Sequence, residues 1–161
     1  MIFAIDPGTE RSGWVLFDGG QVLDAGVHPN ADVLEWVRHG QGADTLALEM
    51  VACYGMAVGR DVFETVRWIG RFQQAWRDPE SVRFVYRTAV KLALCNSTKA
   101  RDPNVRQALI DELGAPGTKK SPGPTYGVTS HAWAALGVAF AASRWAATVN
   151  ANEERQSAVK C

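Results

Sequence analysis

A chain of 161 residues, 47% apolar and 21% charged, is sized for one domain with a real core. Seventeen basic side chains balance seventeen acidic ones, which excludes a strongly basic nucleic-acid coat and an acidic tail while leaving local patches open. Cys53, Cys95 and Cys161 form no C-x-x-C, which argues against a disulfide framework or a zinc site and for a reducing cytoplasm. No secretory leader is expected, and no membrane span either, because Ser143 and Arg144 interrupt the most apolar stretch, 132–149.

In chain order, Ile2-Phe3-Ala4-Ile5-Asp6 predicts a strand that ends on a carboxylate, with Pro7-Gly8 turning the chain. A carboxylate at the tip of a strand stands on a stiff platform and is costly to bury alone. The same residue is also ordinary turn chemistry before Pro-Gly, and by itself it favours neither reading. Residues 12–17 and 21–27 predict two more strands, joined by the hairpin signal Asp18-Gly19-Gly20. Asn30 is placed to cap a helix over 31–39 that turns Val33, Leu34 and Val37 inward, and Gly40 and Gly42 end it.

Thr45 to Leu48 predicts a short buried strand ending on Glu49. Two apolar strands that each deliver a carboxylate to the tip weigh more than either alone. As parallel neighbours they would set Asp6 and Glu49 side by side where ligand sites of open α/β sheets lie. A Gly-containing loop, 51–59, carries Tyr54 and Met56. Residues 61–76 then predict an amphipathic helix with Val62, Val66, Ile69, Gln73 and Trp76 inward, flanked by Phe63 and Phe72, and with Gly70 marking a close helix contact. A strand over 82–86 and helices over 88–94 and 103–113 follow, the last with Asp102 as its cap. A Pro-rich loop, 115–126, holds Lys119 and Lys120, and a long helix closes the fold from about 129 to 149. The order predicts an α/β fold of the ribonuclease H-like kind, a mixed five-stranded sheet flanked by helices. It assigns 1–150 to the domain and 151–161 to a polar C-terminal tail.

Oxygen ligands at one sheet rim favour a hard cation, Mg2+ or Mn2+. Two such ions about 3.5–4 Å apart can activate water and stabilise the leaving oxygen in phosphodiester hydrolysis. A third ligand is needed, and the start of the last helix offers His131, as metal ligand or general base. A lone His in that place is more often a capping or packing residue. Between Arg87 and Lys120, basic residues including Lys91, Lys99, Arg101, Lys119 and Lys120 outnumber acidic ones, a patch able to follow phosphates; a plain solvated surface is the commoner meaning of such a count. Tyr54 is a candidate to insert between bases at a branch, or else packs on the next helix. A phosphate-loop look-alike at 114–121 fails on spacing, since Lys119 stands where the second Gly belongs.

With these residues in hand, the chain resembles the RuvC-type Holliday-junction resolvases, especially the short phage-encoded group. The likeness rests on Ala4-Ile5-Asp6-Pro7-Gly8-Thr9 with Ser12-Gly13-Trp14, on Leu46-Ala47-Leu48-Glu49, on Val90-Lys91, and on Gly127 to Leu136. The stretch from Glu49-Met50 through Tyr54-Gly55-Met56 to Phe63-Glu64-Thr65 looks like the phage group in particular. The resemblance implies a homodimer that binds four-way or otherwise branched DNA and nicks two strands symmetrically with magnesium, in the cytoplasm of a bacterial host. It assigns catalysis and metal binding to Asp6, Glu49 and His131, and substrate contact to Lys91 and to Lys99 or Arg101. The family's last helix opens with D-x-x-D; here His131 and Ala134 stand in those places, so the chain departs from the pattern at both: some members carry His at the first, but the acid at the second is lost, and either Asp6, Glu49 and His131 suffice, or another acid such as Asp102 moves in, or the metal is held weakly. A branched-DNA binding protein without catalysis is the alternative. A phosphotransferase of the actin and sugar-kinase type, which shares the opening strand and hairpin, needs a second domain that this length does not provide.

Overall fold

The computed structural model describes residues 1–53, 55 and 57–144. The expectations for Tyr54, Met56, the last turns of the closing helix and the tail lie outside them. Five strands form one sheet: β1 (Ile2–Asp6), β2 (Arg11–Asp18), β3 (Gln21–Pro29), β4 (Thr45–Met50) and β5 (Arg83–Tyr86), in the order β3-β2-β1-β4-β5. The first three make an antiparallel meander, and β4 and β5 join β1 in parallel. Among the described residues five α-helices flank the sheet: α1 (Asn30–His39), α2 (Arg60–Ala75), α3 (Arg87–Cys95), α4 (Asp102–Leu113) and α5, over 132–144. This is the predicted mixed five-stranded, ribonuclease H-like layout.

The central strands are buried on both faces, so their alternation divides two cores rather than core from solvent. Phe3 and Ile5 of β1, Trp14 of β2 and Leu46 and Leu48 of β4 pack with Val33 and Val37 of α1 and Ile69 and Phe72 of α2. Ala4, Val15, Phe17 and Ala47 face the other way, onto Val90, Val105, Leu109 and the α5 residues Ala132, Trp133, Ala135 and Leu136. The parity decides where the charges go. Asp6 is two residues after Ala4 and Glu49 two after Ala47, so both carboxylates are directed to the α3–α4–α5 side. The parallel register, Ala4 opposite Ala47 and Ile5 opposite Leu48, brings them to the same end.

Several local expectations are corrected. Asn30 does not cap α1. It is the first helical residue, it is buried, and its side chain joins β2 to the loop after β1: Ser12 Oγ donates to its Oδ1 at 2.6 Å, and its Nδ2 donates to the Gly8 carbonyl at 2.9 Å. The inward face of α2 is Thr65, Ile69 and Phe72, continued by Trp76, whereas Phe63 and Val66 are exposed. The apolar count of that helix exceeds one face, so periodicity alone fits two registers. Gly70 makes no close contact: a Cβ there would meet nothing within 4 Å. Asp102 is the first residue of α4 rather than its cap, and the Arg101 backbone N–H is instead satisfied by Asn104 Oδ1 at 3.0 Å. The loop after α4 contains a small hairpin, β6 (Gly117–Thr118) and β7 (Ser121–Pro122), with Lys119 and Lys120 at its turn. No helix among the described residues is long and apolar enough to cross a membrane.

Candidate active site

Three chain segments that are distant in sequence converge at the C-terminal rim of the parallel strands. Asp6 closes β1, Glu49 is the penultimate residue of β4, and His131 immediately precedes α5. The approach of α5 depends on Gly13. That residue lies opposite Asp6 on β2, and a Cβ there would stand 2.3 Å from the His131 carbonyl oxygen. Only a bare Cα admits the helix start so close to the sheet. The carbonyl of His131 in turn accepts the Ala134 and Ala135 N–H groups as the first helical acceptor.

In this arrangement His131 Nδ1 lies 3.1 Å from Asp6 Oδ2. With Asp6 ionised, Nδ1–H is the donor, and Nε2 faces away from Asp6 on a ring that is mostly exposed. The two carboxylates are largely buried and strain against each other. Burial raises the Asp6 carboxyl above its ordinary value, opposed chiefly by the hydrogen bond and charge of His131. Glu49 is pushed up to about 8, first by burial and then by the Asp6 charge. Glu49 therefore holds the proton of the pair. Its Oε2 is buried without a hydrogen-bond partner among the described residues.

Two further residues complete the site. Arg87, the first residue of α3, places Nε 3.8 Å from Glu49 Oε1 and Nη2 2.5 Å from Asp102 Oδ1. Asp102 is held below the usual carboxylate range by that hydrogen bond, with Lys91 adding a smaller effect. On one side of Arg87 a cavity of about 290 Å3 is lined by Asp6, Glu49, Met50, Val51 and Cys53. On the other a cavity of about 400 Å3 is lined by Asp102, Arg106, Ser130, His131, Trp133 and Ala134. In the sequence alone Arg87 is one basic residue among those between 87 and 120. The signal was its position: it follows the last residue of β5, which runs parallel to β4 with Val85 opposite Glu49.

The candidate DNA-contacting residues are not all brought together. Lys91, on α3, is half-buried and near Asp102. Lys99 and Arg101 are exposed in the connection to α4 and line neither cavity. Lys119 and Lys120 are exposed at the hairpin turn and line neither cavity.

Among the described residues no group of three or more His, Cys, Asp or Glu side chains is arranged to hold a metal ion. What is present is a two-carboxylate core: hard oxygen donors, one of them a buried oxygen with no partner among the described residues, and a proton on Glu49 that a hard cation would displace. Asp6 and Glu49 fit such an ion. The Nδ1 of His131 is engaged by Asp6, so of its ring nitrogens only Nε2 is open to an ion or a substrate proton.

Solved structures similar to the chain include two of Thermus thermophilus RuvC. One, described as the Thermus thermophilus RuvC structure, is 21% identical, with 91% of this chain and 95% of that chain covered and a TM-score of 0.64. The other is T. thermophilus RuvC in complex with Holliday junction substrate, 23% identical, covering 90% of this chain and 93% of that one, with a TM-score of 0.65. No family model matches the sequence, and no curated protein matches it. At this identity the likeness establishes the fold.

Proposed function

We propose that the protein is a metal-dependent endonuclease that cuts four-way junctions and other branched DNA by phosphodiester hydrolysis. The observation that carries the reading is the buried pair Asp6–Glu49, with an unpartnered carboxylate oxygen, at the rim of a sheet whose fold is shared with a resolvase solved on a Holliday junction. Asp6 and Glu49 hold the cation, Mg2+ or Mn2+. A divalent ion bound there supplies charge neutralisation at the phosphate and a more acidic water. His131, oriented by Asp6 through Nδ1, presents Nε2 to accept a proton as a P–O bond forms to water and the ester P–O bond breaks. Lys91, and Lys99 or Arg101, bind backbone phosphates, the hairpin lysines Lys119 and Lys120, which line neither cavity, meet the DNA further out, and Tyr54 inserts between bases at the branch. The likeness of 49–65 to the short phage-encoded group supports an enzyme working in the cytoplasm of a bacterial host.

The test uses labelled synthetic four-way junction, flap and linear duplex with and without Mg2+. Asp6→Asn is expected to abolish cleavage and leave junction binding in place. An Asn variant that cuts as well as the parent would overturn the assignment. A second reading, a branched-DNA binding protein without catalysis, draws on Ala134 in the second cavity, where the resemblance would call for an acid. A protein that binds junctions but nicks none of them across a range of Mg2+ and Mn2+ would establish it.

A further inference from the structure

Arg87 lines both cavities and stands between them. Its three nitrogens are used unequally. Nη2 is tied to Asp102 at 2.5 Å, Nε is 3.8 Å from Glu49, and Nη1 is buried with no partner among the described residues. Asp102 is 77% exposed and the Arg87 side chain 25%, so the ion pair is anchored from the solvent side and the positive charge is held inward, beside the carboxylate pair. An arginine placed only to brace the fold would be expected to spend its buried donors; this one keeps a donor for an anion brought to the pair.

A second ion about 3.5–4 Å from the first would need ligands of its own. On the side away from Glu49 the second cavity offers Asp102, already engaged by Arg87, together with Ser130, the ring of His131 and the methyl of Ala134. The charges point the same way. Asp6, Glu49 and Asp102 carry three negative charges when ionised, against one positive charge on Arg87 and another on Arg106 in the second cavity, so a single divalent cation already more than cancels what remains. A second cation would face the guanidinium as a like charge at close range.

We propose that Arg87 is a built-in positive charge in the place of a second metal ion, so that each chain takes one divalent cation at Asp6 and Glu49, and that Asp102 is the residue that positions Arg87. The proposal rests on the metal-dependent reading above. It accounts for a site that keeps two carboxylates at the strand tips, lacks an acid at Ala134 and places an arginine between them.

The experiment is a Mn2+ titration of the full chain, read by the electron paramagnetic resonance of free Mn2+, which counts bound ions without turnover. One ion per chain is expected for the parent and for Arg87→Lys. Arg87→Gln is expected to take up a second ion or to bind the first at least tenfold more tightly. Asp102→Asn, a change on an exposed side chain, frees the guanidinium to swing onto Glu49 and is expected to weaken Mn2+ binding about tenfold. Should Arg87→Gln fail to fold, the parent's stoichiometry and the Asp102→Asn affinity decide. Two ions in the parent, a folded Arg87→Gln that titrates like the parent, or an unchanged Asp102→Asn overturns the role given to Arg87 while leaving the nuclease reading standing. No ion bound by any of the proteins overturns both.

Discussion

Glu49 carries the site's unresolved charge. A carboxyl whose pKa is about 8 in the folded protein, against 4.5 as its ordinary value, binds a proton more readily folded than unfolded. Its contribution to stability is then full at low pH and is lost as pH rises through the interval from about 4.5 to 8. Asp6 shifts in the same direction. The metal-free protein is therefore expected to lose stability on going from pH 5 to pH 8, and Glu49→Gln, which keeps the shape without the charge, is expected to flatten that slope. At pH 8 the variant should be the more stable protein by on the order of 2 kcal/mol. Thermal melts across that range in the presence of a chelator check this, and an unaltered slope in the variant would refute it. Addition of Mg2+ or Mn2+ should stabilise the parent at pH 8 and leave Glu49→Gln nearly unmoved.

The loop after β1 is held by side chains rather than by its own turn. Asn30 reaches back from α1 to Gly8 and Ser12, and its backbone N–H donates to the Glu10 carbonyl at 2.9 Å. Asn30→Ala strands the buried Ser12 hydroxyl and is expected to cost about 1–3 kcal/mol in urea unfolding. The docking of α5 is subject to a different constraint. At Gly13 an added methyl meets backbone rather than the end of a flexible side chain, so Gly13→Ala must push the start of α5 away from the sheet. A loss of about 1–3 kcal/mol is expected, with the His131–Asp6 contact broken. The chemical shifts of the His131 ring report the contact, and a variant with parental stability and parental ring shifts would show that the helix start has slack.

At the scale of the molecule, α2 carries an apolar face that no described residue covers. Phe63 is 65% exposed, Val66 and the preceding Val58 are about 40% exposed, and Gly70 on the same helix meets nothing. An apolar face beside the Asp6–Glu49 rim suits a second copy of the chain, and under the proposed function two-fold symmetry would present two sites to a junction that is itself two-fold. Phe63→Glu is expected to give a monomer by light scattering, with thermal stability near the parental value, because the side chain is outside both cores. Junction cutting should pass from paired nicks to single ones. A parent that is monomeric at working concentration would remove α2 as the interface.

Alternation, turn residues and the two carboxylates at strand tips were legible in the amino-acid order, because they depend on neighbours two to four residues apart. So were the five strands, the meander followed by parallel crossovers, and the candidate site at Asp6 and Glu49. Tertiary structure alone decided the rest. The α2 pattern suited two registers until the sheet selected Thr65, Ile69 and Phe72, since burial depends on what lies opposite. Asn30 and Asp102 both stood where helix caps stand, yet each side chain found a partner far along the chain, Ser12 and Arg87, and a buried or charged partner outcompetes a local backbone bond. The position of Arg87 beside Glu49 follows from strand register, a relation between segments more than thirty residues apart that no local pattern encodes.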